Sequence, residues 1–380
     1  MQIKNITPYI LYTELSKQER FAYSQYWYNS RTAMIVAIEC DDGTTGYGEA
    51  SGPPWVNAAT IDTVYTPLLI GRDPLDRDTL WLEMYNRLRD HGQKGTAIEA
   101  ISAIDIALWD IAGKHFGVPI YKLAGRCYRN TVTAYATGLY HRDTDDNVSA
   151  LVNEAKGYVA QGFKAMKVKI GFGVESDLTV VKAIREAVGS DIALMIDANH
   201  AYDVSASICL SRKLEPLNIR WFEEPIVPED ISGYRQLTSH ATIPIATGEA
   251  EFTRYGFRDL IYSKAADIMQ PDCCVAGGLS EVLKIADMAD ACHIRVIPHV
   301  WGSSISIAVA LQLLSMIAPC PPALYPEEPL LELDRTPNIF REELAKDGLE
   351  IQNGIARVPT APGLGIEIDH GILEKYRIPR

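Results

Sequence analysis

The sequence predicts an α/β fold: a closed barrel of eight βα units, fronted by a small antiparallel sheet and followed by a tail of strand-like pieces. Two observations carry this. From about residue 126 to residue 330, short apolar runs alternate with amphipathic helical segments, the pattern of successive βα units. Before and after that stretch the texture is one of strands and tight turns.

Residues 2–13 and 32–40 read as strands, and Asp42-Gly43 ahead of Tyr47-Gly48-Glu49 predicts a hairpin that returns along the second. A helix starts at Thr96, with Glu99 completing a capping box. It carries Ile98, Ile101, Ile104, Leu108 and Ile111 on one face and ends near Gly113 or Gly117. The barrel strands are expected at 132–137, 165–170, 193–197, 220–223, 244–249, 267–272, 295–299 and 323–325. Helices such as 177–188 and 281–292, apolar at helical spacing, form the outer ring. A turn at Asn353-Gly354 and a strand at 365–369 bring the tail back onto the N-terminal sheet. The expected division is therefore a capping domain at 1–125, a catalytic barrel at 126–330 and a C-terminal segment at 331–380.

The totals narrow the function classes. The 380 residues, 47% hydrophobic and 22% charged, have ordinary globular composition and suffice for one large domain and a smaller one. With 36 basic residues against 49 acidic ones the net charge is −13, which argues against nucleic acid and anionic membranes as partners. Seven cysteines, an odd number without CxxC spacing, read as reduced core thiols and not as a zinc site. No signal-peptide pattern or bilayer-length apolar run is visible, so a cytoplasmic protein is expected.

In a βα barrel the active site lies at the C-terminal ends of the strands, so charged residues that close apolar strands are the candidates for chemistry. Here they are Lys167, Lys169, Asp197, Glu223, Glu249, Asp272 and His299. Asp197, Glu223 and Glu249 are spaced 26 and 26 residues apart, one βα module each time. Any one of them alone reads equally well as a solvated loop residue or a helix cap. Three carboxylates on adjacent strand ends would repel one another without a cation, and all-oxygen ligation suits Mg²⁺, with Mn²⁺ as a substitute. Lys167 and Lys169, two residues apart on a strand, face the same side, where each disfavours the other's charge. Across the mouth, Asp272 would fix the tautomer of His299 and raise its basicity.

Taken together, Lys167-x-Lys169, Asp197-Ala198-Asn199, Trp221-Phe222-Glu223-Glu224-Pro225, Gly248-Glu249 and Gln270-Pro271-Asp272 followed by His299 resemble the mandelate racemase group of the enolase superfamily. The resemblance runs from end to end and includes the segment Ala103-Ile-Asp-Ile-Ala-Leu-Trp-Asp110. It implies a (β/α)7β-type modified TIM barrel with an α+β capping domain completed by the C-terminal segment. It also implies Asp197, Glu223 and Glu249 as Mg²⁺ ligands, with Glu224 outside that set. Lys169 and the His299–Asp272 dyad become bases on opposite faces of the substrate, and Lys167 an electrostatic neighbour. The chemistry implied is removal of the α-proton of a sugar-derived carboxylate through an enediolate. Three fates follow from that intermediate: racemisation or epimerisation, dehydration, and cycloisomerisation.

Gly171-Phe-Gly-Val-Glu175, Asp197-Ala-Asn-His200, Glu223-Glu-Pro-Ile-Val-Pro228 and Pro298-His-Val-Trp-Gly302 are similar to the galactarolactone cycloisomerases, which open D-galactaro-1,4-lactone to a 3-deoxy-2-keto-hexarate. Asn199, His200 and Trp301 are the expected substrate contacts, together with Glu328 as a hydrogen-bonding partner for the substrate carboxylate. The aromatic run 21–28 and the stiff loop 51–55 are expected as a lid, a subunit contact or packing on the barrel. An acid-sugar dehydratase or epimerase, and more remotely a catalytically silent metabolite-binding protein, are the rival readings. A homo-oligomer acting on a small acid sugar or its lactone is expected, as is usual for the proteins it resembles.

Overall fold

The computed structural model describes residues 1–379. Long strands Ile3–Glu14 and Ser30–Cys40 pair antiparallel, and Thr45–Ala50 adds to the second, giving the three-stranded sheet of the capping domain. Helix Thr96–Phe116 packs across this sheet because two glycines let it come close. A Cβ on Gly46 would lie 2.2 Å from the Ala107 carbonyl oxygen, and one on Gly48 1.9 Å from that of Ala103. Gly48→Ala is expected to lower stability by about 1–3 kcal/mol, the usual cost of overpacking, as measured by denaturant unfolding. The helix begins at Gly95 with no side-chain cap, which corrects the capping-box reading of Thr96 and Glu99. Glu99 is instead turned inward, where it accepts a hydrogen bond from Asn57.

Acidic residues on this helix fasten the capping domain to the rest of the chain. Asp105 accepts from the amide and hydroxyl of Ser280 on a barrel helix, and Asp110 accepts from the amides of Tyr47 and Leu364. The tail is thereby tied to hairpin and helix together. Residues 365–369 form only an isolated bridge from Ile368 to Ala345, which corrects the strand expected there. Helix His370–Tyr376 follows, and Arg377 bridges to Leu11 of the first strand.

The barrel strands are Thr131–Gly138, Ala165–Lys169, Ala193–Asp197, Ile219–Glu223, Ile245–Thr247, Ile268–Met269, Arg295–Val296 and Leu331–Asp334. The first seven pair in parallel in chain order, and the eighth pairs in parallel with the first, Leu331 opposite Ala134. Seven helices intervene, from Asn147–Ala160 to Ser304–Met316, which is the (β/α)7β arrangement. The eighth strand corrects the expectation of 323–325 and lies beyond residue 330, the end expected for the barrel. Residues 323–325 are exposed loop, since a run of prolines around them removes the amide donors a ladder needs.

Inside the barrel, Tyr135, Ala165, Met195, Trp221, Ala246, Ile268, Ile297 and Leu330 form one buried layer with a contribution from each strand region. The interior is plugged, so a ligand has access only at the mouth. Among the described residues no helix is long and apolar enough to cross a membrane.

Candidate active site

Side chains alternate along a strand, so Lys167 and Lys169 project to the same side, into the barrel beside Asp197 and Glu223 at the ends of the next two strands. Glu249, Asp272 and His299 sit two or three residues past their shorter strands, in the βα loops. Asp197, Glu223 and Glu249 each present an oxygen within 4.8 Å of the others, a group able to hold a metal ion. The donor set fits a hard divalent cation. All three ligand groups are carboxylates, and Glu249 Oε2 is buried without a hydrogen-bond partner, with His299 Nε2 3.5 Å away. Glu223 is held by Trp221 Nε1 at 2.9 Å and Gln270 Nε2 at 2.7 Å. Burial, with Asp197, Glu332 and Glu249 nearby, outweighs Lys167 and raises the Glu223 pKa to about 8.

The two lysines occupy different situations. Lys167 is fully buried among Glu223, Asp197 at 3.4 Å and Glu332 at 2.7 Å. Lys169 donates to Asp197 at 2.5 Å and to Asn199 Oδ1 at 3.0 Å, and it lines the cavity. Burial opposes both charges, but the surrounding carboxylates prevail and raise both pKa values. His299 Nδ1 lies 2.7 Å from Asp272 Oδ2. Burial again works against charge there, and Glu249, Glu332 and Asp272 overcome it to bring the imidazole to about 10.

Glu332, on the eighth strand, was missed by the sequence reading. It accepts from Thr137 Oγ1, Lys167 and the Val300 amide, closing the ring of polar groups between strands seven, eight and one. Burial disfavours its charge, but Lys167, His299 and Lys169 hold its pKa down to about 2. The alternation Leu331-Glu332-Leu333-Asp334 was the available signal. Glu328 is a correction. It is half-exposed and pairs with Arg129 at 2.5 Å, next to Glu327, which pairs with Arg220 and Arg295 at the starts of their strands. That is the opposite end of the barrel from the mouth, because the eighth strand begins only after it.

A cavity of about 630 Å³ opens over these groups and is also lined by Asn199, His200 and Trp301. His200 Nδ1 lies 3.0 Å from Glu224 Oε2, and burial, which lowers its pKa, is outweighed by Glu224, Glu249 and Asp197 to give about 9. Asn199, His200 and Glu224 all have left-handed backbone, with φ of 41°, 65° and 39°, local strain of the kind that clusters at functional sites.

The aromatic run folds over the mouth. Ser24 donates to the carbonyls of Ala198 and Asn199, the Tyr28 ring packs tilted against Trp301 with centroids 4.9 Å apart, and Tyr23, Tyr26 and Tyr28 line the cavity. Ser51–Pro54 line it too, as do Glu49 and Glu99. Glu49 accepts from the amides of Ser303 and Ser306 and the Ser303 hydroxyl at the start of helix Ser304–Met316. Burial pushes both Glu49 and Glu99 up to about 7, against these hydrogen bonds and that from Asn57.

Two family descriptions match. "Mandelate racemase / muconate lactonizing enzyme, N-terminal domain" covers residues 14–125 and "Enolase C-terminal domain-like" covers 150–372. The chain is 47% identical to the D-galactarolactone cycloisomerase of Agrobacterium fabrum over 93% of each chain. Among solved structures it is similar to the 3,6-anhydro-D-galactonate cycloisomerase of Zobellia galactanivorans, at 42% identity and TM-score 0.90 over 100% of both chains. It is also similar to a racemase from Streptomyces coelicolor A3(2) with bound magnesium, at 27% identity and TM-score 0.88 over 99% of this chain and 100% of that one. With both domains matched and the strand-end groups gathered at one mouth, the chain is an enzyme of the mandelate racemase/muconate lactonizing enzyme family of the enolase superfamily.

Proposed function

We propose that the enzyme removes the α-proton of a sugar-acid carboxylate with Mg²⁺ bound by Asp197, Glu223 and Glu249, and that it opens the ring of D-galactaro-1,4-lactone by β-elimination. The observation that carries this reading is that the carboxylate triad, through Glu249, meets Lys169 and His299, each held by its own partner, at one cavity. The similarity to a galactarolactone cycloisomerase over nearly the whole chain supports the substrate. A Mg²⁺ ion held by these three carboxylates would supply positive charge where the enediolate develops and would offset the carboxylates that otherwise keep Lys169 protonated.

Lys169 takes the proton α to the free carboxylate, and Asn199, which hydrogen bonds Lys169, orients it. The electron pair left on the α-carbon forms the α,β double bond as the bond from the β-carbon to the ring oxygen breaks. That oxygen leaves as part of a new carboxylate. His299, held by Asp272, supplies a proton on the other side of the site, and the enol ketonises as the former β-carbon is protonated, giving a 3-deoxy-2-keto-hexarate. His200, Trp301 and the tyrosines of the 21–28 segment shape the cavity around the ring and exclude water.

A second reading, opening of a 3,6-anhydro-galactonate ring by the same steps, is favoured by the similarity to an enzyme of that name along the entire chain. There the departing ring oxygen becomes a hydroxyl and needs the His299 proton. ¹H NMR in D₂O with Mg²⁺ tests both. Loss of the α-proton signal and a keto product from the lactone supports the first, and the same from the anhydro acid alone supports the second. α-Deuteration without elimination makes the enzyme an epimerase, and product from open-chain acids alone makes it a dehydratase. Asp272→Asn, which removes the charge that fixes and raises His299, is expected to lower kcat by about a hundredfold, as measured by the same assay.

A further inference from the structure

The mechanism leaves the acidic groups on the capping-domain side of the cavity without a role. That side carries two carboxylates, Glu49 on the third strand and Glu99 on the long helix. Glu99 is 8% exposed and faces the cavity it lines. Its loop partner is shaped to reach it, since Gly52 has φ +75° and a Cβ there would stand 2.3 Å from Glu99 Oε2. Four cationic side chains line the same cavity, and each already has a carboxylate partner. Arg31 pairs with Asp334 at 3.0 Å, Lys169 with Asp197 at 2.5 Å, His200 with Glu224 at 3.0 Å and His299 with Asp272 at 2.7 Å. Arg31 is further covered by the Trp301 ring, 4.1 Å from its guanidinium carbon.

We propose that Glu49 and Glu99 make this wall selective for substrates with a single carboxylate, whose far end is an uncharged ring or hydroxylated chain, and that it turns away open-chain dicarboxylates. The inference rests on the reading above in one respect: the substrate's reacting carboxylate is taken to lie at the triad. A second carboxylate would then project toward two acidic groups and find no free cation, the arrangement that costs most when water is excluded. Hydroxyls fare differently, because a carboxylate accepts their hydrogen bonds. Glu49 and Glu99 already hold their charge with difficulty, and a further anion would worsen that. If the lactone is the substrate, its opening creates a second carboxylate against this wall, so the product is a weak inhibitor.

D-Galactonate and galactarate are a matched pair for the test, identical except that the terminal hydroxymethyl of one is a carboxylate in the other. Isothermal titration at pH 8 with the Mg²⁺-loaded enzyme is expected to show galactonate binding at least about tenfold more tightly than galactarate. Glu99→Gln should narrow that gap by about tenfold, the size of one charge repulsion at a partly buried separation. Equal or tighter binding of galactarate by the unmodified enzyme overturns the inference, as does a gap that Glu99→Gln leaves unchanged. Lactone turnover, followed in parallel, separates the two ideas. A gap without turnover sinks the proposed reaction and leaves the selectivity standing, whereas turnover without a gap does the reverse.

Discussion

Lys169→Met is expected to lower kcat by about 10³-fold and to abolish α-proton exchange in D₂O while leaving the protein folded. Of the two lysines on the second strand, Lys169 is the one that lines the cavity, and its ammonium is held by Asp197 and Asn199 at distances that fix its direction. Methionine keeps the length and the packing of the side chain but has no proton acceptor of comparable basicity. Asn199 would remain on Glu249, so the pocket's shape is expected to survive. Single-turnover rates with and without the substitution, together with circular dichroism, give the measurement. Retention of exchange at more than about a tenth of the original rate would move the base to His299, whose opposite position in the ring then takes over the first step.

Lys167→Met is expected to act on stability instead. Lys167 lies at zero exposure with Asp197, Glu223 and Glu332 around it, so its removal takes the nearest counter-charge from a buried group of carboxylates. Breaking a buried pair in this way costs about 3–5 kcal/mol. In the metal-free protein the loss is expected at neutral pH and shrinks in acid, and the sign follows from Glu332. Its pKa is held down to about 2, so its contribution is present above the ordinary glutamate range and is lost as pH falls toward that value. Without Lys167 the largest part of this contribution is absent, and only what His299 and Lys169 supply is left. Mg²⁺ is expected to stabilise the variant more than it does the parent, because the cation then also replaces the missing charge. Urea unfolding at neutral pH, with and without Mg²⁺, is the check. An unchanged midpoint would mean that the three carboxylates are already neutral in the folded chain.

Much of the barrel and of its catalytic mouth was legible in the linear sequence, for a local reason. Each βα unit buries an apolar strand and ends it with a polar residue, so the 26-residue steps from Asp197 to Glu223 to Glu249 report the repeat itself. Lys167 and Lys169 were legible by the two-residue period of a strand, and the His299–Asp272 pair by two strand ends that the barrel brings together at 2.7 Å. The eighth strand was misplaced because Pro321, Pro322, Pro326 and Pro329 break the pattern where the module should fall. Glu328 was therefore assigned to the mouth and is found at the other end, while Glu332 went unnoticed.

The sequence by itself determined the fold class and which charged residues close the barrel strands, since each depends on periodicity within one or two elements. Only the tertiary structure decided what faces them. Glu49 and Glu99 reach the cavity because the capping domain docks over the barrel, through contacts such as Asp105 with Ser280 and Glu49 with Ser303, which lie 175 and 254 residues apart in the chain. Glu99 reads as part of a capping box in the sequence, whereas the structure has Gly95 at the cap, and Asp334 and Trp301 enclose Arg31 from distant parts of the chain. Side chains so far apart share no period. Their charge balance arises from domain packing, and it is that balance which shapes the far wall of the pocket.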